Sequence, residues 1–116
     1  CTQQEMVEIM GDNFTGLDGG VTFWYDNDKI YSEVICYRND IDQSVRNSVI
    51  LEEIYNGLGP VQDTWLREDS IAYAGYSTPQ SLTAVDELLL RLLYHPDMVC
   101  GMNRAQCEEV ICSLYY

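Results

Sequence analysis

The chain has 116 residues, 47% of them hydrophobic and nine of them tyrosine, which is the size and composition of one folded domain and not of a disordered tail. A formal net charge of −13, with only six Lys and Arg residues, excludes the clustered cations that a nucleic-acid surface needs. The longest apolar run, residues 88–93, is interrupted by Arg91 and falls well short of the roughly 20 residues that span a bilayer.

Residues 2–10 predict a short helix, with Met6, Val7 and Met10 at helical spacing, ended by the glycine-rich stretch 12–20. Residues 21–25 read as a strand, 26–29 as a hairpin turn and 30–37 as the returning strand. The alternation of that strand sends Ile30, Ser32, Val34 and Cys36 to one face and Tyr31, Glu33, Ile35 and Tyr37 to the other. A helix is expected over Gln43–Gly57, with Asp42 as its N-cap, and Gly59-Pro60 stops it. It carries two stripes: Ile50, Ile54, Gly57 and Leu58, assigned to the core, and Val45, Val49, Glu52 and Asn56, running from apolar into polar.

A long polar loop is expected over residues 61–81. The stretch Thr83-Ala84-Val85-Asp86 has the form of a capping box with Asp in place of Glu, and opens a helix that ends at His95-Pro96. A second box, Asn103-Arg104-Ala105-Gln106, opens a terminal helix with Cys107, Ile111 and Leu114 on one face. Together these elements predict a single α+β domain over residues 1–116. A small sheet with an N-terminal hairpin packs on the central helix, and two further helices follow.

The informative stretch is Glu52-Glu53-Ile54-Tyr55-Asn56-Gly57-Leu58-Gly59, with Gln62 three residues later. After it come Asp69-Ser70-Ile71-Ala72-Tyr73, then Leu82 to Asp86, then Leu93-Tyr94. This order and spacing resemble the metzincin zinc peptidases, whose helix carries HExxHxxGxxH before a turn around a methionine. In that motif two histidines at i and i+4 reach the metal from one helical face, and the Glu between them takes a proton from metal-bound water. Carried over by position, Glu52, Asn56 and Gln62 stand where the three histidines would be. Glu53 coincides with the catalytic Glu, and Ala72 sits where the methionine would be. One carboxylate and two neutral amides are poor substitutes for three imidazoles, so the resemblance implies a zinc-peptidase motif without its zinc site and no cofactor.

The chain is still more similar to a bacterial family, the domain of unknown function 2927, on Glu52 to Gly59, Gln62-Asp63, Asp69-Ser70-Ile71, Leu82 to Asp86, Leu92 to Pro96 and Gly101-Met102. That resemblance implies a metzincin-like fold and an extracellular or cell-surface home, either as a lipoprotein or as part of a larger secreted protein, but no reaction. Glu52, Glu53 and Asn56 are then expected to form a polar network with Gln62 and Ser70 over the vacated metal site.

Two further readings concern sites elsewhere in the chain. Asp12, Asp18, Asp26 and Asp28 lack the EF-hand spacing and read as loop and turn residues, and His95 reads as a helix-terminal cation. Five cysteines without a CxxC pair, in an acidic chain, point to an oxidising compartment. The pairs expected are Cys100–Cys107, across the turn that opens the last helix, and Cys36–Cys112, from hairpin to last helix, with Cys1 left over. The expected function is non-catalytic: a secreted or surface module that binds a protein, a peptide or a surface component, or serves as a structural piece. The competing expectation is a metal-dependent peptidase with atypical ligands and Glu53 as general base.

Overall fold

Reciprocal capping opens three of the four helices. The computed structural model describes residues 1–116, and its first helix, α1 (Gln3–Met10), begins where the Glu5 amide donates to the Thr2 hydroxyl and the Thr2 amide donates back to the Glu5 carboxylate. Asp42 stands at the N-cap of α2 (Gln43–Gly57) but makes no side-chain cap bond. The expected boxes at Thr83/Asp86 and Asn103/Gln106 open α3 (Ala84–Leu93) and α4 (Arg104–Tyr115). A single turn of 3-10 helix, Asp12–Phe14, lies in the stretch read from sequence as loop.

The sheet is one antiparallel hairpin, β1 (Gly19–Asp26) and β2 (Lys29–Tyr37). Its turn places Asn27 and Asp28 at φ 48° and 62°, the left-handed pair that matches strand twist in a two-residue hairpin loop. Trp24 pairs with Ser32 and Tyr25 with Ile30, so Tyr31 is the extra residue of a bulge. The strict alternation expected across β2 therefore breaks at Tyr31. The tip beyond it is solvated: Tyr25 and Tyr31 are more than two-thirds exposed.

β1 begins at Gly19, two residues earlier than the sequence pattern suggests, because Gly19 and Gly20 work as strand residues. A Cβ on Gly19 would collide with Val49 Cγ1 of α2, and one on Gly20 with the ring of Phe14. Both glycines are buried: the bare Gly19 lets α2 lie directly on the sheet, and Gly20 makes room for the Phe14 ring.

The apolar core centres on Tyr55, Ile71 and Ala72, flanked by Leu51, Leu82 and Leu90. This corrects the stripe assigned from sequence: Ile54 is 48% and Leu58 42% exposed. The residues of α2 that are buried are Ser48, Glu53, Tyr55 and Gly57, because one side of the helix meets β1 and another meets the loop over residues 61–81. That loop has neither helix nor strand. A parallel bridge clamps it, with the Thr64 amide donating to Ala72 O and the Ala74 amide to Thr64 O, both at 2.8 Å. The clamp delivers Ser70, Ile71 and Ala72 into the interior.

All five cysteines are free thiols, and neither expected disulfide is formed. Cys36 is buried in β2, whereas Cys112 is exposed on α4, a helix with no substantial packing against the hairpin. Cys100 and Cys107 both border an apolar groove between α3 and α4, shared with Leu89, Leu92 and Ile111, without bonding to each other.

Candidate functional site

Two buried carboxylates organise the middle of the molecule. Asp86 is wholly inaccessible. As third residue of α3 it accepts from the Thr83 amide at 2.8 Å, which a capping box dictates. It also accepts from the Ser70 hydroxyl and from the Ile71 amide at 3.2 Å, so the same side chain ties the central loop to α3. The Tyr55 hydroxyl donates to the Asp86 carbonyl at 3.1 Å and brings in α2. Burial alone would raise the Asp86 carboxyl, but the bonds from Ser70, Thr83 and Ile71 outweigh it and hold it below the usual range. Burial, with the Asp86 charge behind it, pushes the Tyr55 phenol up.

Glu53 is the opposite case. It is 9% exposed, on the face of α2 beside Gly19. Burial pushes its carboxyl up to about 7, and the neighbouring charges of Glu52 and Asp63 push the same way. The Asn56 amide lies close enough to draw it back down, yet no hydrogen bond of normal geometry reaches either Glu53 oxygen. Every fully enclosed side-chain oxygen or nitrogen in the chain does have a partner, so the Glu53 carboxylate keeps its access to the space beside it. Glu52 is half-buried, and burial followed by the Asp63 charge raises its carboxyl as well.

The space they face is a cleft of about 410 Å³ between α2, the start of β1 and the central loop. Glu52, Glu53 and Asp63 line it together with Asp18, Tyr73 and Tyr76. A smaller hollow between α2 and β1 is shared by Glu53 and Asn56. Of the residues singled out from sequence, Glu52 and Glu53 are thus brought to one cavity and Asn56 to its neighbour. Gln62 is exposed and Ala72 lies in the core, and neither lines the cleft.

The network expected around Glu53 through Gln62 and Ser70 is not formed, because the Ser70 hydroxyl is committed to Asp86. Sequence reasoning missed Asp63 as a site residue and the central role of Asp86. The sequence signal for Asp86 was its place as the acid of a capping box; its tie to Ser70, 16 residues earlier, had none. His95 accepts a bond from the Asp97 amide at 3.2 Å beyond the end of α3 and does not line the cleft.

The donor set does not fit a zinc ion. No three His, Cys, Asp or Glu side chains are grouped to hold a metal, and the cleft offers no imidazole or thiolate.

No curated protein and no solved structure matches the chain. The model of one family, described as Protein of unknown function (DUF2927), matches residues 17–113, from the approach to β1 to the last turn of α4, and the chain belongs to that family.

Proposed function

We propose that this domain is a non-catalytic, metallopeptidase-like binding module that works outside the cell or at its surface, where it engages a protein, peptide or surface component. The cleft beside α2 carries this reading. It has the size of a ligand site, and its lining is mostly polar and acidic, with Val45, Val49 and Ile71 as apolar patches in the walls. Its Glu52 and Glu53 stand at the positions of a metal ligand and a general base in the zinc peptidases that the motif resembles, but the donors around them do not suit zinc. Without a metal to acidify water, the zinc-peptidase route to a nucleophile is not open to a carboxylate there. The strongly acidic composition supports a solvated, non-nucleic-acid role.

One observation favours a second reading, a metal-dependent peptidase: a carboxyl raised to about 7 has the basicity that a general base needs. A single experiment separates the two. The protein is equilibrated with zinc, dialysed, assayed for retained metal and offered a mixed fluorogenic peptide substrate. The binding reading expects no stoichiometric zinc and no turnover above buffer. Retained zinc, with turnover that vanishes in Glu53→Gln, would replace it.

A further inference from the structure

We propose that the cleft receives the cationic end of a basic side chain, the ammonium or guanidinium of a bound peptide, at Glu53, with Glu52 and Asp63 adding negative charge to the same cleft. The inference rests on the binding-module reading and names its ligand class. The first ground is uncompensated charge. Of the cleft's four acids, only Asp18 has a cation, Arg38 at 3.5 Å. The other cations of the chain are engaged elsewhere: Arg67 with Asp69, Arg91 with Glu87, Arg104 with Glu108 and Arg46 on Asn39 O, while Lys29 sits at the hairpin turn. None of them lines the cleft.

The second ground is the burial of Glu53 itself. Glu53 is nine-tenths buried, faces the cleft and accepts no hydrogen bond of normal geometry from the protein. Buried carboxylates are ordinarily hydrogen-bonded, as Asp86 is here. The Asn56 amide is the one donor near Glu53, so the carboxylate keeps acceptor capacity for a donor that enters the cleft.

The walls favour an organic cation over a metal ion. Val45, Val49 and Ile71 give an apolar lining for a methylene stem, and Tyr73 and Tyr76 bring aromatic rings to the rim, against which ammonium and guanidinium groups bind well. The acids are not grouped as ligands of one ion. Glu53, Glu52 and Asn56 lie on α2, Asp63 and Tyr73 on the central loop, and Asp18, with its Arg38 partner, at the start of β1. No histidine faces them. A bound cation favours the ionised form of Glu53, so binding releases a proton and strengthens as pH rises from 6 to 8, by up to about tenfold.

The test is titration of the isotope-labelled protein at about 0.15 M salt, where non-specific attraction to an acidic chain is screened. The probes are a capped pentapeptide with one central lysine among Gly and Ala, its norleucine counterpart, and calcium chloride alone. The expected result is amide shifts centred on Glu52, Glu53, Asp63 and Tyr73 with the lysine peptide only. Binding should fall about tenfold or more in Glu53→Gln and in the exposed-site variant Asp63→Asn, and stay unchanged in Glu108→Gln on α4.

Equal binding of the norleucine peptide in the cleft would overturn the cation inference and leave the binding module standing. Calcium shifting these residues while the lysine peptide does not, or no probe reaching them, would overturn the inference as well. Cleavage of the peptide would overturn the binding reading itself.

Discussion

Asp86 and Glu53 are both carboxylates of helices, both at least nine-tenths buried, and they end in opposite states. Asp86 sits where a helix begins. Free amides point at it there, and a loop returns to add a hydroxyl and one more amide. Glu53 sits in the interior of a helix, where the backbone amides are already used, and its neighbours are two further acids. Position along the helix therefore decides which acid is stabilised as an anion and which is held close to neutrality. One has become a structural pin; the other is poised to respond to what enters the cleft.

The largest effect should follow loss of the pin. Asp86→Ala leaves the Ser70 hydroxyl and the amides of Ile71 and Thr83 without an acceptor, at a cost of about 3–5 kcal/mol. Only twelve of 116 residues are buried, so a loss of this size should leave the domain largely unfolded near room temperature, as seen by circular dichroism and urea titration. An Asp86→Ala variant that melts like the wild type would break the contrast at its root.

The next effect is one of pH, and the two acids give it opposite signs. The folded Glu53 carboxyl titrates at about 7 against an ordinary 4.5, so the folded chain keeps a proton that the unfolded chain has released. Its contribution is fully present below pH 4.5 and is lost as pH rises to about 7, for a total of about 3 kcal/mol. Glu52 acts in the same direction. Asp86, held below the usual 3.8, contributes stability that is present above that pH and is lost on further acidification. Urea denaturation should therefore find the domain more stable near pH 5 than at pH 8. Glu53→Gln should flatten most of the slope and exceed the wild type at pH 8. Equal wild-type stability at both pH values would mean that Glu53 behaves as a surface acid.

Smaller changes sharpen the comparison. Tyr55→Phe keeps the core ring and removes only the bond to the Asp86 carbonyl, for about 1 kcal/mol by thermal melting. Glu108→Gln, in an exposed i,i+4 pair with Arg104, should change stability by less than about 0.5 kcal/mol. A larger loss there would show that exposed acids matter as much as buried ones.

What the sequence disclosed was mostly local. The hairpin, α2 and the two C-terminal helices were legible, because capping residues, turn residues and apolar periods act within a few positions. The core was less so. Ile54 and Leu58 carry the right period, but nothing in α2 says that Tyr55 and Leu51 will be covered instead by residues 70–72. That cover depends on the bridge between Thr64 and Tyr73, a pairing without a periodic signal. The same limit applied to the site. Glu52 and Glu53 stood out through their motif, whereas Asp63 and Tyr73 join them only because the clamped loop folds back over α2. Cysteine spacing misled, since reach across a turn says nothing of how α4 is set against the rest.

The Asp86 pin also joins contacts of very different chain-entropy cost. Its bond to Thr83 spans three residues and forms as α3 forms, on the timescale of helix growth. Its links to Ser70 and Tyr55 span 16 and 31 residues and require closure of much longer loops, with a correspondingly greater loss of chain entropy. One residue thus has a local partner that costs little chain entropy and distant ones that cost much more. It caps a helix and fastens that helix to the rest, so opening the central loop would release Ser70 and Ile71 and leave the local cap intact.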